Sequence, residues 1–106
     1  MKFTLTINSD SGHHAPARRA LGFLRAARKS GHDVAQVFFY GDSVRSALES
    51  SIAEQWRNEA HGIELVLCSA SADRFNIDTP PAGFDIAGLG ALIESGCASE
   101  RVINFV

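Results

Sequence analysis

The chain has 106 residues, of which 45% are hydrophobic and 21% are charged, and its formal net charge is −2. This length and composition predict one compact soluble domain over residues 1–106. The small negative charge argues against direct nucleic-acid binding, and no apolar stretch approaches the roughly 20 residues that cross a membrane.

The amino end and the cysteines indicate the compartment. Residues 1–7 alternate as a strand does and lack the continuous apolar region of a signal peptide, so a cytoplasmic location is expected. The two cysteines have neither a CxxC spacing nor a His/Cys spacing. They therefore predict free thiols rather than a disulfide framework or a zinc site.

Hydrophobic periodicity predicts strands that alternate with helices. Phe3 to Asn8 alternates as a strand, and Pro16 begins a helical pattern that Gly31 ends. Val34 to Tyr40 is a nearly continuous apolar run, as in a strand buried on both faces of a parallel sheet. The later predicted elements are a helix from Val44 to Gly62 with a break near Ser50 and Ser51, a strand from Ile63 to Leu67, a short helix from Gly88 to Gly96 and a strand from Arg101 to Val106.

Residues 69–87 form a long connection that contains Pro80 and Pro81. A connection of this length predicts a functional lid or a loop ordered by a partner, although Phe75 to Ile77 could add a short strand. The complete pattern predicts a three-layer α/β/α sandwich with four or five mostly parallel strands.

Cys68 is the main candidate functional residue. It follows the apolar run of the third strand and precedes a loop of small residues. Ligands of open α/β sheets bind beyond the carboxyl ends of the strands, so we expect the thiol to be exposed in such a crevice. The residues expected at the rim follow the first two strands: Ser9, Asp10, Tyr40 and Asp42.

The residues after Cys68 suit thiolate chemistry, because the thiolate is the nucleophilic form of cysteine. If Ser69, Ala70 and Ser71 open a short helix, their backbone N–H groups would point positive charge at the sulfur, and Arg74 adds a permanent cation. This arrangement predicts a nucleophile that needs no cofactor and no metal.

Three blocks of the sequence resemble the DsrE/TusD family of small sulfurtransferases. The first is Gly31 and His32 with the apolar end of the second strand. The second is the strand that ends at Cys68, Ser69 and Ala70, with Arg74. The third block lies in the last quarter of the chain and consists of Gly83, Phe84, Gly88, Leu89, Gly90, Ala91, Leu92, Arg101, Val102 and Ile103.

The resemblance implies a flavodoxin-like fold, assembly into trimers or hexamers as a homo- or hetero-oligomer, and a persulfide carried by Cys68. It also implies donor and acceptor proteins with reactive cysteines, in sulfur oxidation or tRNA thiolation. The chain departs from the family pattern at Ser71, Phe75 and Asn76, and the loop that carries these residues is short for the family. The departures leave the partner and the final acceptor open.

Alternative interpretations remain. Cys68 could be a buried packing residue, and the chain could be a non-catalytic subunit of a sulfur-relay oligomer. The C-x5-R spacing of Cys68 and Arg74 also occurs in cysteine-dependent phosphatases, but this loop lacks glycine and contains Asp73. Cys97 is expected to be structural, with a disulfide to Cys68 as a minor alternative. The adjacent histidines His13 and His14 are expected to be solvent-exposed rather than metal ligands.

Overall fold

The computed structural model describes residues 1–9 and 14–106. The strands are β1 Lys2–Ile7, β2 Asp33–Phe39, β3 Glu64–Cys68, β4 Asp85–Ala87 and β5 Arg101–Phe105. The helices are α1 Ala15–Lys29, α2 Ser50–Glu59, α3 Ser69–Arg74 and α4 Leu89–Ala98, and a 3₁₀ helix spans Gly41–Ala47. The described helices include none that is both long enough and apolar enough to cross a membrane.

The described strands form one five-stranded sheet in the order β4-β3-β2-β1-β5, and every pair is parallel. The chain moves in one direction from β1 to β4 and then returns to place β5 beside β1. Because parallel crossovers are right-handed, the return places its helix on the opposite face of the sheet. The first three α-helices therefore share one face, and α4 lies on the other.

Side-chain alternation in the strands builds two unequal cores. Leu5 and Ile7 of β1 belong to the large cluster beneath α1 and α2, whereas Thr4 faces α4 and hydrogen-bonds to Ser95. On the large-cluster face, the Trp56 ring of α2 packs edge-on against Phe39, with the ring centroids 5.4 Å apart. This contact anchors α2 to the central strand β2.

The face that carries α4 is only partly covered. In α4, Ser95 is the buried residue, while Leu89 and Ile93 are 61% and 64% exposed. Val102 and Val106 in and after the edge strand β5 are also more than half exposed. This face therefore leaves apolar surface in contact with solvent in the single chain.

The predicted α/β architecture is confirmed, and the four long strands end within one residue of their predicted positions. The predicted break near Ser50 is also confirmed, because the 3₁₀ helix ends at Ala47 and α2 begins at Ser50. The prediction of a long connection over residues 69–87 is wrong in part. Residues 69–74 form α3, and the short strand is Asp85–Ala87 rather than Phe75 to Ile77. Ile77 instead packs its side chain into the large core.

Candidate functional site

Cys68 is the last residue of β3 and the N-cap residue of α3. It lies opposite Ala87, the last residue of β4, in the β3–β4 pair. After Cys68 the chain enters α3 on one face of the sheet, and after Ala87 it turns through Gly88 into α4 on the other face. Neighbouring strands whose connections leave on opposite faces create the crevice in which α/β proteins bind ligands.

The amino ends of α3 and α4 meet at this crevice. A Cβ added to Gly88, the N-cap residue of α4, would lie 3.7 Å from the Ser69 hydroxyl at the start of α3. The unpaired N–H groups of a first helical turn carry partial positive charge, which favours an anion nearby. Cys68 therefore lies beside the amino ends of two helices.

The Cys68 side chain faces α4 and is only 8% exposed. It packs with Phe38 and Val66, and the half-buried side chains of Tyr40, Ala87 and Leu92 surround this cluster. The prediction of an exposed thiol is therefore wrong for the single chain. The reason is the two-residue alternation of β3, which turns Cys68 toward the face where the first turns of α4 cover it.

The three residues after Cys68 begin α3, so the condition stated for their backbone N–H groups, that they open a short helix, is met. Ser69 and Ala70 are exposed, and Ser71 is half-buried. The Ser71 hydroxyl accepts a hydrogen bond of 2.8 Å from the backbone N–H of Gly41, which ties α3 to the loop after β2. Ser71 thus supports the position of α3 through its side chain.

Arg74 lies at the last turn of α3, on the side of the 3₁₀ helix. Its guanidinium forms an ion pair with Asp42 and lies 4.9 Å from the centroid of the Phe75 ring, while the side chain stays 58% exposed. Residues 69–74 are helical and do not wrap around an anion as a phosphatase loop does. The C-x5-R spacing here therefore lacks the geometry on which the phosphatase alternative depends.

The predicted rim residues do not all lie on the face of the sheet that carries the thiol. Tyr40 packs against the cluster that contains Cys68, and Asp42 pairs with Arg74 on the other side of the sheet. Ser9 is 5% exposed, and its hydroxyl has no hydrogen-bond partner in the described parts of the chain. Asp10 lies outside the described residues.

Sequence reasoning assigned no site role to Gly88 and Leu92, which lie near the thiol, or to Asn104, which contacts Tyr40. The Gly-Leu-Gly pattern at residues 88–90 did mark the start of a helix, and this was the available signal for the amino end of α4. Asn104 gave no signal, because its contact with Tyr40 depends on the position of β5 beside β1.

The remaining candidates lie away from the thiol or carry no visible metal site. Cys97 is exposed on α4, and both cysteines are free. His14 contacts the Ser46 hydroxyl through Nδ1 at 3.1 Å, and His13 lies outside the described residues. Within residues 1–9 and 14–106, no group of three or more histidine, cysteine or acidic residues could hold a metal ion.

An open groove of about 650 Å³ adjoins the site on the α3 side of β4. Its walls include Ser69 and Ala70, and three carboxylates line it: Asp73, Asp78 and Asp85. The groove therefore begins where α3 begins, but its acidic walls would repel an anionic ligand.

The family model of the DsrE/DsrF-like family matches residues 1–105. The chain belongs to the DsrE/DsrF-like family. A sulfurtransferase TusD homolog from Pseudomonas aeruginosa is 32% identical, and the match covers 99% of this chain and 97% of that protein. A putative sulfurtransferase DsrE from Allochromatium vinosum is 30% identical over 99% of this chain and 98% of its own length. The resemblance inferred from the sequence blocks is thereby confirmed.

Solved structures share the fold of this DsrE/DsrF-like chain. The YchN protein of Escherichia coli superposes with a TM-score of 0.76 at 19% identity, over 99% of both chains. A conserved protein of unknown function from Bacteroides thetaiotaomicron gives a TM-score of 0.74 at 14% identity, over 98% of this chain and 94% of that one. At these identities the likeness concerns the fold alone.

Proposed function

We propose that this protein is a sulfurtransferase that receives sulfur on Cys68 as a persulfide and passes it to a thiol of a partner protein. The observation that carries the proposal is the position of Cys68 at the crevice where β3 and β4 send their helices to opposite faces. The names of the relatives, a TusD homolog and a putative DsrE sulfurtransferase, support the same reaction class.

The proposed transfer is an exchange between thiols that leaves the overall oxidation state unchanged. The Cys68 thiolate attacks the outer sulfur of a donor persulfide R–S–SH, the donor S–S bond breaks, and R–S⁻ leaves as Cys68–S–SH forms. An acceptor thiolate then attacks the outer sulfur of Cys68–S–SH and releases the Cys68 thiolate. Neither step requires a cofactor.

The surroundings of Cys68 are proposed to stabilise the anionic forms in this exchange. We infer that the first-turn N–H groups of Ser69, Ala70 and Ser71, which follow Cys68 at the start of α3, contribute positive potential there without a capping hydrogen bond to the Cys68 side chain. Arg74 is engaged with Asp42, so it contributes net positive potential at the rim only in part. The site is thus built chiefly on backbone amides.

The partners are proposed to be donor and acceptor proteins with reactive cysteines, in the cytoplasm and in sulfur oxidation or tRNA thiolation. The exposed apolar residues on the α4 face support an oligomer, because monomers seldom leave such a patch in water. Leu89 and Ile93 lie one turn apart on α4, and a Cβ added to Gly96 of the same helix would lie 3.3 Å from the Val102 side chain. We propose that this face joins subunits of a homo- or hetero-oligomer, a trimer or a hexamer.

The test is sulfur loading measured by intact mass. After incubation with a cysteine desulfurase and its substrate, the protein should gain one sulfur atom, about 32 Da. The gain should disappear in Cys68→Ser and persist in Cys97→Ser, which is the matched control because Cys97 is the more exposed thiol. A wild-type protein that stays unloaded while a known carrier loads would reject the carrier role and favour a non-catalytic subunit.

A further inference from the structure

Access to Cys68 limits any reaction at its sulfur. The side chain is 8% exposed, and the half-buried side chains of Tyr40, Ala87 and Leu92 pack against the cluster that contains it. Of these, Tyr40 and Leu92 are large enough to block an approach to the sulfur. A donor sulfur must approach to bonding distance of Sγ, so one of these bordering side chains has to move. The two differ, because Leu92 packs by apolar contact alone whereas Tyr40 is also held by a hydrogen bond.

Tyr40 is the next residue after β2, and the β2–β3 register places it beside Cys68. Phe39 lies opposite Leu67 in this parallel pair, so the following residues, Tyr40 and Cys68, are the next neighbours. Phe38 and Tyr40 share the α4 face because side chains alternate along the strand. The Tyr40 ring therefore forms the wall of the crevice on the β2 side.

Asn104 of β5 holds the Tyr40 hydroxyl. The Tyr40 hydroxyl donates a hydrogen bond of 3.1 Å to Asn104 Oδ1, and the Thr6 hydroxyl of β1 donates to the same oxygen at 2.8 Å. Thr6 is 7% exposed, and its hydrogen bond orients the Asn104 amide from the neighbouring strand β1. The bond connects β2 with β5, the edge strand on the far side of β1.

We propose that the Tyr40–Asn104 hydrogen bond controls how often the Cys68 sulfur becomes accessible. The inference rests on the proposed sulfur chemistry and names Tyr40 and Asn104 as positioning residues for it. When the bond is intact, the ring stays against Phe38 and Cys68. When it breaks, the ring can swing toward solvent and open the crevice without unfolding the core. Because the bond joins an exposed edge strand to the site, a protein that binds β5 would also change access to the sulfur.

The test measures alkylation of Cys68 by iodoacetamide in a Cys97→Ser background, in which Cys68 is the reactive thiol. A single exposed hydrogen bond shifts an equilibrium by a modest factor, so Tyr40→Phe and Asn104→Ala should each raise the alkylation rate roughly 2- to 10-fold. The double variant should react no faster than the faster single variant, since both changes remove the same bond. Leu92→Ala is the matched control: it enlarges the other side of the opening, and its effect should multiply with that of Tyr40→Phe.

Local opening must be separated from global unfolding. The alkylation rate at low urea should stay nearly constant in Tyr40→Phe, because swinging one ring exposes little surface, whereas access through unfolding rises steeply with urea. The proposal would be overturned by unchanged rates in both single variants or by effects of Tyr40→Phe and Asn104→Ala that multiply. A steep dependence of the rate on urea, or a Cys68 that never reacts in the folded protein, would overturn it as well. Alkylation needs no sulfur donor, so this result is independent of the mass gain that tests the sulfur-carrier role.

Discussion

Gly41 allows the sharpest test of the packing behind the site. It follows Tyr40, has a φ of 60°, and donates its N–H to Ser71 of α3. A Cβ at this position would lie 2.1 Å from Asn8 Oδ1, far inside van der Waals contact. The Gly41→Ala substitution therefore combines an unfavourable backbone conformation with a collision against the residue after β1.

The cost of Gly41→Ala has two parts. The left-handed backbone conformation costs an L-residue about 1–2 kcal/mol. Asn8 must also swing away, and it then loses the hydrogen bond of 2.8 Å that Oδ1 accepts from the Ser9 N–H. That loss adds about 1 kcal/mol, so we expect the free energy of unfolding to fall by about 2–3 kcal/mol in urea denaturation.

Gly31→Ala is the matched control. Gly31 has a φ of 81°, and a Cβ there meets no atom within 4 Å, so only the backbone cost of about 1–2 kcal/mol applies. In an Asn8→Ala background the collision is absent. The cost of Gly41→Ala measured there should fall to about the cost of Gly31→Ala. Equal destabilisation by Gly41→Ala and Gly31→Ala in the wild-type background would refute the role assigned to Asn8.

Three further predictions concern the core, the rim and the subunit face. Trp56 is fully buried, and its Nε1 lacks a hydrogen-bond partner in the described chain. In urea denaturation, Trp56→Phe should therefore lower the free energy of unfolding by less than about 2 kcal/mol, and Trp56→Ala should lower it by about 3–5 kcal/mol. Arg74→Gln should slow sulfur loading by less than about 5-fold in a mass time course, because an exposed, paired charge contributes little. Ile93→Asp should lower the mass seen by light scattering to that of a monomer, whereas Glu94→Gln should leave it unchanged.

The strands could be predicted from sequence because their signal is local. Val34 to Tyr40 is a run of apolar residues that suits a strand buried on both faces, and the observed strand differs by one residue at each end. The region after Cys68 was harder, because α3 has only six residues and β4 only three. Elements this short carry too few periods for a pattern to emerge, so Ser69 to Ala87 was predicted to be a long connection.

The position of Cys68 at a strand end could be predicted from sequence, but its exposure could not. Whether a side chain at a strand end meets solvent depends on which face it occupies and on what packs there. Here the face is covered by Leu92, a residue 24 positions later in the chain. The contacts of Arg74 with Asp42 and of Tyr40 with Asn104 likewise join distant segments, so spacing within one segment could not reveal them.

The same topology that creates the site also explains why the thiol is covered. The reversal of direction after β4 sends α4 to the second face, which brings a helix amino end to Cys68 and also lays Leu92 across it. Moving α4 away would expose the sulfur but would also remove one side of the crevice at the carboxyl ends of β3 and β4. Small side-chain motions at the rim avoid this conflict, because they open the crevice while both helix amino ends stay in place. A reactive sulfur at this crevice therefore favours a side chain at the rim that can move, and Tyr40, which packs against the Cys68 cluster and hydrogen-bonds to Asn104, is the side chain that we propose for this role.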